Sequence, residues 1–121
     1  LDNVESAAIL KLAVNFYFSI QVKGIVDALK VIKSQDPELA QKAFELFKTL
    51  PIVSPPLAGI LGLIEKAQYS PSFPVHLVHK DLIYLAELAQ APNVTGAVAN
   101  DFAAAIAAGL GDENIHAIWK L

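Results

Sequence analysis

Apolar residues recur at three- and four-residue intervals along almost the whole chain, and no stretch alternates with the period of two that marks a half-buried strand. The pattern predicts helices throughout. The first runs from about Val4 to Lys33 without a proline. At about 1.5 Å per residue it would be about 45 Å long, longer than a small domain is wide. Such a helix would act as a spine. Gly24 lies inside it and weakens it by about 1 kcal/mol relative to Ala, unless close packing needs the missing side chain.

Asp36 followed by Pro37 marks the start of a second helix, with a carboxylate to cap the free N–H groups and a proline at the first position, where its own N–H is not needed. That helix carries Leu39, Ala43, Leu46, Phe47 and Leu50 on one face and stops at Pro51. Ser54, ahead of Pro55 and Pro56, caps a third. Residues 70–74, SPSFP, form a loop, and a fourth helix follows from about Val75 to Gln90. The APN turn places Asn93 as the cap of an alanine-rich fifth helix that ends at Gly109 or Gly111. Ala103, Ala104, Ala105, Ala107 and Ala108 would let another helix approach closely. Asp112 then caps a short last helix with Glu113 and Asn114 in its first turn. There are no internal repeats and no low-complexity linker, so residues 1–121 are expected to form a single all-α domain.

Composition adds the question of what covers the surface. The chain has 121 residues, enough for one core and too few for two. It is 55% hydrophobic and only 17% charged, below the usual quarter. A membrane span needs roughly 20 apolar residues. Lys11 and Lys23 bound a shorter run that already contains Asn15, Ser19 and Gln21; residues 49–64 contain Pro51, Pro55 and Pro56; residues 94–111 contain Asn100 and Asp101. No run reads as a span, and no signal peptide opens the chain. The expectation is a missing neighbour, another domain or another subunit. The chain starts at Leu1 and has no Met, which suits a piece of a longer polypeptide.

Charge excludes further classes. The net charge is −3 and all nine basic residues are Lys, which argues against a nucleic-acid surface and against a guanidinium clamp for phosphate. With no Cys there are no disulfides and no thiolate metal sites.

Lys11 and Asn15 share one face of the first helix, and Ser19 continues that line a turn further on. The simplest reading is a lysine that snorkels to water beside a solvated amide. The functional reading is a lysine desolvated in a cleft, where it gives or takes a proton, with Asn15 bonding the same substrate. Lys80 and Asp81 are adjacent and so point about 100° apart on their helix. Periodicity favours a solvated Lys80 and an Asp81 tied to a neighbouring helix. His76 and His79, three apart, could offer two ligands to zinc, but nothing nearby completes a set. No phosphate-binding glycine loop or nucleophile elbow occurs, and His116 and Trp119 read as packing residues.

Taken together, KLAVN at 11–15, DAL at 27–29, SP at 54–55, FPVHLVHKDLIYLAELA at 73–89 and GLGDENIHAIWKL at 109–121 resemble the C-terminal helical domain of the β-hydroxyacid dehydrogenases. That family includes 3-hydroxyisobutyrate dehydrogenase, tartronate semialdehyde and glyoxylate reductases and, more distantly, 6-phosphogluconate dehydrogenase. The resemblance implies the helical bundle of the 6-phosphogluconate dehydrogenase C-terminal domain, built on one long helix. It implies that Lys11 is the general acid and base, that Asn15 contacts substrate, that Lys80 approaches the nicotinamide end of NAD or NADP, and that Phe73 and Asp81 shape the same cofactor pocket. A short 3-hydroxy or 2-hydroxy acid or its semialdehyde would be the substrate, in a cytoplasmic homo-oligomer. The N-terminal Rossmann domain, which would bind most of the cofactor, is absent from the chain, so the piece alone is expected to be inactive.

Val14 stands where many relatives carry a polar residue, SQDPEL replaces a glycine-containing turn, and the lack of Arg disfavours the 6-phosphogluconate branch. Two other readings remain: a non-catalytic helical dimerisation module, and a bundle with a closed internal ligand pocket. The dehydrogenase reading requires Lys11, Asn15, Phe73 and Lys80 to converge on one open face.

Overall fold

The computed structural model describes residues 2–89 and 93–121. Its helices are α1 (Asn3–Gln35), α2 (Pro37–Thr49), α3 (Pro55–Glu65), α4 (Val75–Ala89) and α5 (Asn93–Ala107), followed by a 3₁₀ helix, Ile115–Lys120. The described residues contain no strand, only an isolated antiparallel bridge between Pro74 and Asn114. The expected all-α class and the order of elements hold.

Local chemistry sets most boundaries. Asp2 accepts from the Glu5 N–H at 2.7 Å, and Asp36 accepts from the Glu38 and Leu39 N–H groups at 3.1 and 3.0 Å, with Pro37 next to it. Ser54 accepts more weakly, at 3.4 Å, from Leu57. The expected cap role of Asn93 and the expected end of α4 at Gln90 lie outside what is described. α5 ends in a left-handed turn at Gly109 (φ 83°), where Gly109 N–H bonds Ile106 O and Leu110 N–H bonds Ala105 O. α3 ends in the same motif, but its left-handed residue is Ala67 (φ 52°).

The core forms where the second half of α1 meets everything else. Val22, Ile25, Val26 and Leu29 pack with Phe44, Leu57, Leu61, Val78, Leu82, Phe102 and Ile118. α4 and α5 pair most extensively, and α1 lies against α2 and α4. Lys23 joins α1 to α5 through Asp101 at 3.5 Å, while Lys48 joins α2 to α3 through Glu65. His116 is fully buried, and Trp119 meets the Phe44 ring edge-on at 5.6 Å, so both do pack.

Several expectations need correction. α2 turns a different stripe inward: Ala40, Ala43 and Phe44 are buried, whereas Leu39 and Leu46 are 48% and 58% exposed. Phe44 meets Trp119 of the last helix edge-on, so the inward stripe is set by distant elements as well as by the helix's own periodicity. Of the alanine row on α5, Ala105 is fully buried, but Ala104, Ala107 and Ala108 are exposed. A Cβ at Gly24 would meet nothing within 4 Å, so no packing among the described residues requires that glycine. The last helix is a 3₁₀ helix starting at Ile115, and its cap position is Asn114, not Asp112. The reason is tertiary: residues 111–113 run alongside the start of α4, where Gly111 and Glu113 carbonyls accept from His76 and Val75 N–H at 3.0 and 2.8 Å. These are N–H groups that α4 itself leaves without partners. By length and composition alone, α1 is apolar enough to cross a bilayer, contrary to the reading from run length. Its Ser19, Val22, Ile25, Val26 and Leu29, however, form a face packed against the other helices.

Candidate active site

Three elements meet at the middle of α1. Lys11 and Asn15 come from α1, Leu77, Lys80 and Asp81 from α4, and Ser72 and Phe73 from the loop before it; together they line an open cleft of about 300 Å³. The size suits a small metabolite. Helical spacing supplies the local pairs, since Lys11 and Asn15 are one turn apart and so are Leu77 and Asp81.

One contact crosses the cleft floor. Asn15 Nδ2 donates to Asp81 Oδ2 at 2.9 Å, joining residues 66 positions apart. The carboxylate accepts only, so the amide nitrogen of Asn15 faces it and the amide is oriented. One of its two N–H groups and its carbonyl oxygen stay available to a ligand. Ser19 does not reach the cleft: it is buried and its hydroxyl donates to the Asn15 carbonyl of its own helix at 2.7 Å.

The side chains of Lys11 and Lys80 are exposed, and among the described residues neither lies within ion-pair distance of a carboxylate. Two ammonium groups and one carboxylate, the latter already bonded to Asn15, leave the cleft with a net positive charge suited to a small carboxylate. Phe73 is partly buried against the core and gives the cleft an apolar wall. Ser72 and Leu77 were not singled out from sequence. Their only signal is position, Ser72 next to Phe73 and Leu77 a turn before Asp81.

The histidines contribute no metal site. His76 Nδ1 lies 2.6 Å from the Gly111 carbonyl, and among the described residues no group of three His, Asp or Glu side chains could hold an ion. As for a nicotinamide cofactor, the cleft offers an apolar ring wall and an amine, which fit its nicotinamide end. The chain has no arginine and no glycine-rich phosphate loop.

The fold and cleft define a helical bundle on a long spine with an open cleft lined by two lysines. No family model and no curated protein matches the sequence. In structure, a 3-hydroxyisobutyrate dehydrogenase from Salmonella typhimurium superimposes with a TM-score of 0.79 at 18% identity, over 92% of this chain and 40% of that one. The chain therefore spans less than half the length of that dehydrogenase and has the fold of its helical part.

Proposed function

We propose that this chain is the substrate-side domain of an NAD(P)-dependent β-hydroxyacid dehydrogenase acting on a short hydroxy acid or its semialdehyde. The observation that carries the reading is the convergence of Lys11, Asn15, Phe73, Lys80 and Asp81 on one open cleft. The fold shared with part of a 3-hydroxyisobutyrate dehydrogenase supports it.

The cofactor, held mainly by a Rossmann domain elsewhere in the polypeptide, supplies hydride transfer when bound. The chain's own residues do the rest. In oxidation Lys11, as the neutral amine, accepts the hydroxyl proton at Nζ and becomes an ammonium; in reduction that ammonium donates the proton to the nascent alkoxide. Its positive charge stabilises that oxygen as charge develops. Asn15, fixed by Asp81, offers its free N–H and carbonyl to the substrate and sets the distance to Lys11. Phe73 and Lys80 form the wall against the nicotinamide end. Docking of the second domain closes the cleft and removes water from Lys11.

In the longer polypeptide, Lys11→Ala is expected to lower kcat/KM by about 10²–10⁴-fold, the usual worth of a general acid–base, with cofactor affinity within about twofold. Unchanged turnover would refute the role. The exposed Val4, Leu10, Val14 and Tyr17 along the first half of α1 favour a covering partner, either the nucleotide domain or a second copy. If α1 serves dimerisation alone, the Lys11 variant dimerises normally and no cofactor-dependent activity depends on it.

A further inference from the structure

The loop that carries Phe73 has no regular structure of its own, yet five of its backbone groups, from Gln68 to Phe73, are bonded to one short segment near the chain's end. Asn114 is the centre. Its Oδ1 accepts from the Ser72 and Phe73 N–H groups at 2.8 and 2.7 Å. Its backbone N–H donates to the Tyr69 carbonyl at 3.0 Å, and the next N–H, of Ile115, donates to the Phe73 carbonyl at 2.8 Å. With Oδ1 committed to two donors, the amide nitrogen faces His116 Nδ1, 2.8 Å away. That assigns the tautomer: Nδ1 accepts, so Nε2–H donates to the Gln68 carbonyl, at 2.6 Å. The Tyr69 ring stacks on the imidazole at 4.7 Å. Asn114 is 4% and His116 0% exposed, so water does not reach their side chains while the lip stays closed.

Neither residue lines the cleft, but Ser72 and Phe73, which Asn114 holds, both do. We infer that Asn114, braced by His116, is a positioning residue that fixes the Ser72–Phe73 lip of the cleft and thereby its affinity for the nicotinamide end of the cofactor. The inference rests on the proposed dehydrogenase reading for its second half only. Shape alone would not demand an amide here. An apolar residue of similar size would fill the space and leave two part-buried N–H groups without their acceptor, and the lip would open to find water.

The test uses Asn114→Leu and Asn114→Asp. Asp keeps an acceptor for the two N–H groups and presents its second oxygen to His116, which can meet it by protonating Nδ1. In hydrogen exchange on the protein, Asn114→Leu is expected to speed exchange of the Ser72 and Phe73 amides about tenfold or more beyond any change at Val78 and Leu82 in α4, with Asp restoring most of the protection. In the longer polypeptide, fluorescence titration with NADH and NADPH is expected to show affinity falling about tenfold for Leu and recovering for Asp. Equal acceleration at all four amides would overturn the positioning role, whatever cofactor binding does. Selective opening of the lip with unchanged cofactor affinity would overturn the link to binding. Phe73→Ala distinguishes the causes: if it too leaves affinity unchanged, the cleft is not the nicotinamide site and the dehydrogenase reading fails with it.

Discussion

Breaking the bond between Asn15 and Asp81 tests whether the cleft floor is held by a specific contact or merely crowded by two polar residues. Hydrogen bonds to a charged group contribute about 1.5–3 kcal/mol when buried. Both residues here are partly exposed, so water substitutes in part, and about 1 kcal/mol is the expected coupling. Unfolding entropy of about 2.1 cal/mol/K per residue gives about 250 cal/mol/K for the 121-residue chain, so 1 kcal/mol corresponds to about 4 °C in Tm. Asp81→Ala, Asn15→Ala and the double variant, each melted by circular dichroism, form a cycle in which the double variant should lose about 1 kcal/mol less than the sum of the singles. Asp81→Asn keeps an acceptor of the same shape and should lose less than Ala. Additivity of the two singles within about 0.3 kcal/mol would refute the contact as an energetic tie, and with it the claim that Asn15 is oriented before substrate arrives.

Two opposite backbone swaps should both stabilise the protein. Gly24→Ala removes a flexible residue from the middle of α1, where an added Cβ meets nothing, and should add about 0.5–1 kcal/mol; Ala67→Gly relieves a left-handed alanine (φ 52°) and should add about as much. A fall in Tm for either variant would contradict the account of that position. His116 makes stability depend on acid: burial pushes its imidazole below the ordinary value of 6.5, reinforced by Lys120 and opposed by the Gln68 carbonyl and Glu113. The unfolded chain therefore takes up the proton first, so this contribution is complete above 6.5 and is lost as pH falls through the lower folded value. Urea midpoints measured downward from pH 7 should decline before the carboxylates titrate, and His116→Gln should flatten that early decline; parallel declines would refute it.

The features legible in the sequence are those decided within a few residues. Asp36–Pro37 starts α2 because the carboxylate bonds N–H groups two and three positions on. Lys11 and Asn15 share a face because of helical pitch. The illegible features were decided by distant residues. Periodicity put Leu39 and Leu46 on the inner face of α2, but packing against distant elements, Trp119 among them, buries Ala40 and Phe44 instead. Asp112 has the look of a cap, but Asn114 occupies the cap position without capping, because its side chain serves amides 41 and 42 residues earlier. Schellman ends show the same limit: the one with Gly109 can be anticipated, the one with Ala67 cannot.

Asp81 shows why periodicity alone could not separate scaffold from site. Read as a packing residue, it should be tied to a neighbouring helix; read through the family resemblance, it should shape the cofactor pocket. Its carboxylate bonds Asn15 at 2.9 Å, which is the tie to a neighbouring helix, and the same side chain lines the cleft beside Lys11 and Lys80. A side chain that joins α1 to α4 also fixes which way the Asn15 amide faces. Under the proposed function a substitution there is therefore expected to lower stability and loosen substrate placement together, whereas Lys11, exposed and without an ion pair or hydrogen bond among the described residues, should reveal its role through activity alone.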